Sequence, residues 1–490
     1  MDASLERWLR DGAGGLDACE RMVETSISWV FLYPTRVLKL KKPVDFGFLD
    51  FTTPDQRRWA AERELAFNRV TAPDIYRAVH AIVRRGDGNF GLGSEGEVVD
   101  WALEMRRFDE TAVLSETPDI VRGDFAEALG RLVAGMHAAA PFGVRGGGAE
   151  GLRYVVASNG GHWRALAGGL DGVDIEGLIA ATEDALSRCA PRLDERMAEG
   201  FVRRCHGDLH LGNILNEDGR AVPFDCIEFN DALSEIDVLY DLAFLMMDLA
   251  FRGQAEGANR VFNGWLDEAA RSFGDGVWSG LGCLGLFQSV RAGVRAHVCG
   301  HQGDFEGARR YLDAARRHLE STRPTLMAVG GLSGSGKSTV ARALAPQLDP
   351  SPGAVVVRTD EIRKRLWNRA PTERLPPEAY ARAESDRVYA AMLETARLCL
   401  SAGWSVILDG VFLDPRERSA AETLASQAGV RFEGVWLEAP PALLKQRVAG
   451  RRGDASDADL KVVEQQLALD PGNVGWVRKS AAEALSPFGE

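Results

Sequence analysis

Hydrophobic positions in the first half of the chain alternate with polar ones in two short runs and then follow helical spacing. Residues 26–32 and 36–42 alternate on either side of the sequence YPT and predict a β-hairpin. Residues 53–70 predict a helix, and residues 98–108 predict another strand. The apolar run at 239–251 is too short to cross a bilayer, so we expect a buried helix there.

The second half has a different pattern, in which short apolar runs are separated by helical stretches. Strands are predicted at 326–329, 355–360, 405–412 and 434–440, each followed by a segment with helical spacing. Strands that alternate with helices are typical of a parallel sheet. The pattern changes near residues 318–325, where an arginine-rich amphipathic helix ends. We therefore predict two domains, 1–321 and 322–490, with an α+β first part and an α/β second part.

The sequence GGLSGSGKST at 330–339 carries the clearest candidate chemistry. It contains the pattern G-x-x-x-x-G-K-[ST] between a predicted strand and a predicted helix, which is the context of a phosphate-binding loop. Backbone amides of this loop and the following helix N-terminus are expected to bind phosphates. Lys337 is expected to reach the β- and γ-phosphates, and Ser338 to hold Mg²⁺. The residues expected to bind the nucleotide are Gly331, Ser333, Gly334, Ser335, Gly336, Lys337, Ser338 and Thr339.

Several charged residues after this loop suggest phosphoryl transfer to an acceptor. Asp360 is predicted at the end of a strand, where ligands of open α/β sheets bind, and Arg363 one helical turn later. Asp360 would act as the base and Arg363 would hold an anionic group, although Asp360 could also simply cap the helix. Asp409 ends the next strand, in a position to polarise a Mg²⁺-bound water or to contact the acceptor. Arg447 and Arg451, with Arg452, are expected to lie on a mobile lid, or alternatively on a solvated helix face.

These motifs give the second half a resemblance to P-loop small-molecule and polynucleotide kinases. That group includes gluconate-kinase-like, zeta-toxin-like and polynucleotide-5′-hydroxyl-kinase-like proteins. The D-x-x-R step of Asp360 and Arg363 is similar to the acceptor-binding step of the polynucleotide kinases, and R-x-x-x-R at 447–451 fits their lid. The resemblance implies a kinase and leaves the acceptor open.

The sequence CHGDLHLGNIL at 205–215 points to a second nucleotide site. His206, Asp208 and Asn213 fit H-x-D-x-x-x-x-N. Asp225 follows in a strand predicted at 220–229, which is expected to form a hairpin with the strand around 214–218. In phosphotransferases of the protein-kinase-like fold, the first Asp accepts the proton of the attacking hydroxyl. The Asn and the second Asp hold Mg²⁺. The hairpin is expected to bring Asp225 beside Asn213.

The rest of the first half offers the lysine and glutamate that such a site needs. Lys39 and Lys41 share one face of a predicted strand, and one of them is expected to contact phosphate. Glu64, on the predicted helix, is the expected partner, with Glu62 as the second choice. No G-x-G-x-x-G loop is present, so we expect the YPT turn at 33–35, with Thr25, Ser26 and Ser28, to cover the phosphates.

This pattern resembles the aminoglycoside phosphotransferase-like family over roughly residues 20–320. The resemblance implies a bilobal, protein-kinase-like domain with an N-lobe at about 20–105 and a C-lobe at about 106–321. The order of the two halves resembles proteins described as bifunctional aminoglycoside phosphotransferase/ATP-binding proteins. It implies ATP or another nucleoside triphosphate, Mg²⁺, and a small-molecule hydroxyl acceptor.

Charge and cysteine usage narrow the possible partners. The formal net charge is −13, and residues 322–490 carry 22 Lys and Arg against 21 Asp and Glu, so the acidic excess lies in the first half. This acidity favours a small acceptor over nucleic acid, although the near-neutral second half leaves a 5′-hydroxyl polynucleotide kinase open. The seven scattered cysteines and the start of the sequence predict a cytoplasmic protein without membrane contact. The main hypothesis is two kinases in one chain, and the alternative is a P-loop domain that gates the first kinase as an ATPase.

Overall fold

The computed structural model describes residues 1–13, 15, 17–47, 49–450 and 455–485. These residues form two compact units, each built from separate stretches of the chain. Unit 1 combines Met1–Ile120, Ala140–Gly147 and Val202–Asp241, and unit 2 combines Val121–Ala139, Gly148–Phe201 and the chain from Leu242 onward. The boundary predicted near residue 321 stays a prediction.

The described chain mixes helices and strands throughout. The helices are α1 (Ala3–Arg10), α2 (Pro54–Asn68), α3 (Gly123–Ala139), α4 (Gly148–Ala165), α5 (Ile175–Ala198), α6 (Asp231–Ser234), α7 (Val238–Phe251), α8 (Ala255–Phe273), α9 (Gly276–Ser279), α10 (Leu284–His301), α11 (Phe305–Arg317), α12 (Lys337–Leu344), α13 (Thr359–Leu366), α14 (Arg382–Ser401), α15 (Pro415–Ala428), α16 (Pro441–Ala449), α17 (Leu460–Leu467) and α18 (Ala481–Leu485). The strands are β1 (Arg21–Glu24), β2 (Ser28–Leu32), β3 (Arg36–Lys41), β4 (Tyr76–Arg84), β5 (Phe90–Leu92), β6 (Glu97–Arg106), β7 (Val202–Arg204), β8 (Ile214–Glu217), β9 (Arg220–Pro223), β10 (Glu235–Asp237), β11 (Thr325–Gly331), β12 (Val355–Arg358), β13 (Val406–Asp409), β14 (Arg431–Leu437) and β15 (Val477–Lys479).

Unit 1 contains a six-stranded antiparallel sheet in the order β1-β2-β3-β6-β4-β5. The predicted hairpin is confirmed as β2 and β3, in which Ser28 pairs with Lys41 and Val30 pairs with Lys39. The predicted helix and third strand are confirmed as α2 and β6. A capping box at Thr53 and Gln56 begins α2, because each side chain bonds the other residue's backbone amide. The sequence pattern did not reveal β1, a short and mostly exposed strand.

A second hairpin in unit 1, formed by β8 and β9, carries the residues around Asp225. Ile214 pairs with Pro223 and Glu217 pairs with Arg220, so the predicted pairing is confirmed. The strand ends at Pro223, however, and does not continue to residue 229 as the apolar run suggested. The reason is local, because Asp225 adopts a left-handed backbone with a φ of 59°, which ends an extended strand.

Unit 2 contains the helices α3–α5 and α8–α11 together with a five-stranded parallel sheet in the order β12-β13-β11-β14-β15. The confirmed fold is thus a kinase-like α+β region followed by a P-loop parallel sheet. The buried helix predicted at 239–251 is confirmed as α7. Among the described residues, none of the helices has both the length and the apolar character needed to cross a membrane.

The edge strand β12 is covered by the helix α8. The backbone amide of Val356 donates to Asn263 Oδ1 at 2.7 Å, and the Nδ2 groups of Asn259 and Asn263 donate to the carbonyl of Ala354 at 3.1 and 3.2 Å. Two asparagines of α8 therefore take the place of a neighbouring strand and satisfy the outer edge of the sheet.

Candidate active sites

Two lysines of β3 and one glutamate of α2 form the buried centre of the site in unit 1. Lys39 Nζ lies 2.8 Å from Glu64 Oε1 and 2.6 Å from Asp225 Oδ1. Lys41 Nζ lies 2.7 Å from Glu64 Oε2 and also bonds Glu228. Glu64 thus binds both lysines, but only Lys39 also contacts a residue of the predicted metal set.

Exposure separates the two lysines further. The side chain of Asp225 is 42% exposed, whereas that of Glu228 is 4% exposed, so Lys39 faces an open cleft and Lys41 a closed interior. Burial would lower the pKa of Lys39, but the charges of Asp225 and Glu64 outweigh it and raise that pKa well above its ordinary value. Burial alone would raise the pKa of Glu64, yet the two lysines lower it to about 2.

The loop at 205–213 holds Asp208 by hydrogen bonds from its own neighbours. Asn213 Nδ2 donates to Asp208 Oδ2 at 2.9 Å and to the Asp208 carbonyl at 3.0 Å. The base of the loop is fixed by Asp241, whose carboxylate accepts from the amides of His206 and Gly207 at 3.2 and 2.8 Å. The Asp208 side chain is 40% exposed, so its carboxylate is open to an incoming hydroxyl group.

Backbone contacts place Asp225 beside this loop. The amide of Asp225 donates to the Tyr76 hydroxyl at 3.1 Å, and the amide of Cys226 donates to Asn68 Oδ1 at 3.0 Å. The amide of Phe224 donates to the carbonyl of Asn213 at 2.9 Å, which joins Asn213 to the residue that precedes Asp225. Tyr76 and Asn68 were not predicted, because a Tyr or Asn that supports a backbone turn has no sequence signature of its own.

The prediction that the YPT turn covers the phosphates is wrong. In the β2–β3 register, Leu32 pairs with Val37 beside this turn, whereas Ser28 pairs with Lys41 at the other end. The turn that joins β1 to β2, at Thr25–Ile27, lies at the lysine end of the sheet. There Thr25 Oγ1 accepts from the amide of Ser28 at 2.9 Å. Thr25, Ser26 and Ser28 therefore stay candidates for covering the phosphates.

The phosphate loop in unit 2 joins β11 to α12, as the sequence predicts. Gly331, Gly334 and Gly336 have φ values of 135°, 87° and 98°, a region that side chains disfavour. A Cβ at Gly334 would lie 2.7 Å from the carbonyl oxygen of Leu444, so the loop fits closely against α16. Lys337 Nζ donates to the carbonyl of Leu332 at 3.1 Å, which places the ammonium group across the loop.

The other nucleotide-binding candidates surround the same loop. The Ser333 amide donates to Gln466 Oε1 at 2.8 Å, and the Ser335 side chain is 1% exposed. Thr339 follows Ser338 in the first turn of α12, where the helix N-terminus attracts anions.

Arg358, which was not predicted from the sequence, links Ser338 and Asp409, the two residues of unit 2 that are expected to lie near Mg²⁺. Arg358, the last residue of β12, donates from Nε to Asp409 Oδ2 at 3.1 Å and from Nη2 to Ser338 Oγ at 3.2 Å. Its Nη1 also bonds Glu361 Oε1 at 2.8 Å. Asp409 is buried, and Arg358 supplies the positive charge that its carboxylate requires. The signal in the sequence was an arginine at the end of an apolar strand.

The acceptor candidates lie on α13, with one difference from the prediction. The strand β12 ends at Arg358 and the helix begins at Thr359, so Asp360 lies in the first helical turn and not at the strand end. Arg363 is buried, and its Nη1 donates to the carbonyl of Ala379 at 2.6 Å. Its guanidinium carbon lies 4.9 Å from the centroid of the Tyr380 ring. Arg363 is thus fixed in place, while Asp360 is half-buried.

One of the two predicted lid arginines contacts the phosphate loop. Arg447 Nη1 on α16 lies 3.3 Å from the carbonyl of Gly334 and 3.5 Å from that of Ser335. Arg451 and Arg452 lie outside the described residues. A cavity of about 510 Å³ borders this region, and its lining includes Leu332, Leu413 and Gln466.

Comparisons with known proteins agree with the two regions. The profile of the phosphotransferase enzyme family matches residues 57–276, and that of an AAA domain matches residues 326–470. The fold and the two matched profiles define a kinase, that is, a phosphotransferase with a kinase-like region followed by a P-loop region. An uncharacterized protein of Mycobacterium tuberculosis H37Rv is 31% identical over 472 residues, which cover 92% of this chain and 90% of that protein. The chain belongs to the same family, in which an aminoglycoside phosphotransferase-like region precedes a P-loop kinase region.

Two solved structures show a likeness to parts of the chain. An ethanolamine kinase of Plasmodium vivax is 11% identical, covers 61% of this chain and 80% of its own, and gives a TM-score of 0.36. A gluconokinase from Sinorhizobium meliloti is 23% identical, covers 33% of this chain and 90% of its own, and gives a TM-score of 0.24.

Proposed function

We propose that both regions are active kinases, each transferring the γ-phosphoryl group of ATP to a hydroxyl of its own small-molecule acceptor. The families support ATP-dependent phosphotransfer to small molecules in general. One observation carries the finer proposal, namely that each region contains both a candidate phosphate-binding lysine and a candidate base, Lys39 with Asp208 in the first and Lys337 with Asp360 in the second. Lys39 pairs with Asp225, Asn213 holds Asp208, and Lys337 lies across the phosphate loop. A region that had become purely regulatory would have no need of the candidate base.

In the first site, Lys39 is the residue that contacts phosphate. Its ammonium group lies at the open side of the buried ion-pair cluster, next to Asp225, whereas Lys41 holds Glu64 and Glu228 in the interior. Glu64 orients Lys39. Asp208, which Asn213 holds in place, accepts the proton of the acceptor hydroxyl as that oxygen attacks the γ-phosphorus.

In the second site, the phosphate loop holds the triphosphate and α13 holds the acceptor. Lys337 stabilises the negative charge that develops on the transferred group, and Arg447 approaches from the lid side. Asp360 takes the proton of the acceptor, and Arg363 binds an anionic substituent of it. The buried position of Arg363 supports this role, because its guanidinium group is fixed by Ala379 and Tyr380.

The oxygen donors in both sites fit Mg²⁺, which binds carboxylate, amide and hydroxyl oxygens. Asn213 and Asp225 would hold it in the first site, and Ser338 would hold it in the second with Asp409 nearby. Mg²⁺ when bound neutralises charge on the phosphates.

The cavity beside the phosphate loop does not identify the acceptor of the second site, because its lining includes neither Asp360 nor Arg363. Charge bears on the first site instead. The acidic excess lies before residue 322 and disfavours a nucleic-acid substrate there.

Phosphoryl transfer from γ-labelled ATP tests the proposal directly. The full-length protein is incubated with sugars, amino alcohols, aminoglycosides, nucleosides and 5′-hydroxyl oligonucleotides. Asp208→Asn inactivates the first site and Lys337→Ala the second. Asp218→Asn and Lys461→Ala serve as matched controls, since both residues are exposed and lie outside the sites.

We expect each active-site variant to lose a different phosphorylated product, while both controls keep both products. If Lys337→Ala loses only ATP hydrolysis and every product depends on Asp208, the P-loop region is a regulatory ATPase and the two-kinase proposal is wrong. Labelling of the oligonucleotides alone by the P-loop region would establish a polynucleotide kinase instead of a small-molecule kinase.

A further inference from the structure

Three of the chain's eight histidines meet where the ends of α4 and α10 lie side by side in unit 2. His162 lies in the last turn of α4, and His297 and His301 lie in the last turns of α10. The spacing of four residues places His297 and His301 on one face of that helix. One ring nitrogen from each of the three residues lies within 4.8 Å of the other two.

The arrangement of the rings is close to that of a metal site. His301 Nε2 lies 3.0 Å from His162 Nδ1, and the rings of His162 and His297 stack with centroids 4.5 Å apart. Zinc–nitrogen bonds of about 2.0–2.1 Å at tetrahedral angles place two bound nitrogens about 3.3 Å apart. The separation of the His301 and His162 nitrogens is therefore already close to the one that a shared zinc ion requires. The third nitrogen, on His297, lies within 4.8 Å of the other two.

The two helices hold these side chains on a fixed scaffold. Trp163 Nε1 donates to the carbonyl of Gly293 at 3.1 Å, and Asn159 Nδ2 donates to that of Val290 at 3.0 Å. A Cβ at Gly293 would lie 2.4 Å from the Trp163 ring, so only glycine permits this approach of α10 to α4. These contacts lie about one helical turn from the histidines and fix their separation, as a preorganised site requires.

The donor atoms and the exposure of the cluster suit metal binding. Each of the three rings offers a nitrogen, which is a ligand atom that Zn²⁺ binds readily. His301 is exposed, so an ion can reach the cluster from solution.

We propose that His162, His297 and His301 form a binding site for one divalent transition-metal ion of the zinc type, with water as the fourth ligand. Imidazole donors suit Zn²⁺, Cu²⁺ and Ni²⁺ and disfavour Mg²⁺, so this site is chemically distinct from the two phosphate sites. The ion would join the end of α4 to the end of α10. The proposal does not depend on the identity of either acceptor.

Only the H-x-x-x-H spacing of His297 and His301 can be recognised from the sequence. The third histidine belongs to a helix far away along the chain, so only the packing of α4 on α10 completes the set.

The test uses the full-length protein, freed of any affinity tag and dialysed against a chelator. Zn²⁺ binding is measured by titration calorimetry, and Co²⁺ binding by its visible absorption. The variants are His301→Ala, which changes an exposed residue and leaves the core intact, and His297→Ala. His80→Ala is the matched control, because His80 is partly exposed and pairs with Glu104 in unit 1.

We expect one Zn²⁺ per chain in the wild type and in His80→Ala, and at least a tenfold weaker affinity in both cluster variants. Circular dichroism checks that His301→Ala is folded. Zinc that raises the melting temperature of the wild type but not of His301→Ala would support the site by a second readout. Absence of binding to the wild type overturns the proposal. So does unchanged binding in His301→Ala, or a sulfur-to-cobalt charge-transfer band that assigns the ion to a cysteine.

Discussion

The two lysines of β3 allow a test in which one variant loses activity and its neighbour loses stability. Replacement of Lys39 by Met removes the ammonium group beside Asp225, while Glu64 keeps its bond to Lys41. Lys39 also pairs with Glu64, but Asp225 is 42% exposed and can be hydrated, so the fold should lose less stability than it does when Lys41 is replaced. Loss of one preorganised charge at a transferred phosphoryl group costs about 10²–10³ in kcat.

Replacement of Lys41 by Met has the opposite effect. Lys41 is the partner of Glu228, whose side chain is 4% exposed, and it also holds one oxygen of the fully buried Glu64. Removing one member of a buried ion pair leaves an uncompensated charge and costs about 3–5 kcal/mol of stability. Because Lys39 remains, the folded fraction of this variant should keep most of its ATP turnover.

The assay combines urea unfolding with Mg²⁺-dependent ATP turnover, both in a Lys337→Ala background that inactivates the second site. The expected pattern is a stable, inactive Lys39→Met and a destabilised, active Lys41→Met. A stable Lys41→Met that has lost turnover, together with an active Lys39→Met, would refute the assignment of Lys39 and the role of burial in it.

Three further outcomes follow from the sites. Because the pKa of Glu64 is lowered from 4.5 to about 2, its ion pairs should contribute about 3 kcal/mol to the free energy of unfolding. This contribution is present above pH 5 and is lost as the pH falls towards 2. In Glu64→Gln, the free energy of unfolding should therefore depend less on pH in this range. Gly334→Ala should weaken ATP binding to the P-loop region by at least tenfold in a Lys39→Met background, since its Cβ would meet a carbonyl oxygen at 2.7 Å; unchanged affinity would contradict the described loop. Arg358→Gln removes the guanidinium group that bonds the buried carboxylate of Asp409, so the free energy of unfolding should fall by about 3 kcal/mol. Addition of Mg²⁺-ATP should restore part of this loss. A variant as stable as the wild type would show that Asp409 has another partner.

The sequence predicted most of the architecture because each recognisable motif occurs at a fixed place between particular helices and strands. The phosphate loop needs a strand before it and a helix after it, and β11 and α12 lie there. The β2–β3 hairpin followed from alternation, and its register brought both lysines to Glu64. Both results depend on contacts that are local or on side chains that share one face.

Other features could not be predicted because they depend on packing between distant segments. Nothing in the pattern distinguishes Lys39 from Lys41, since the difference lies in which carboxylate of the 225–228 segment each one meets. The bridge from Arg358 to Asp409 joins two strands that are neighbours only in the folded sheet. The strand end at Asp225 depends on a left-handed residue that is not glycine, and no propensity indicates it.

The cover that α8 gives to β12 has a consequence for attempts to isolate the P-loop region. A fragment that starts near residue 322 would retain the parallel sheet and lose Asn259 and Asn263, which bond the backbone at Ala354 and Val356. Its first edge strand would then present unpaired amide and carbonyl groups to other molecules, a known route to strand-to-strand aggregation. The helix α8, which lies within the kinase-like region, thus protects the edge strand of the following sheet from pairing with another copy of the chain.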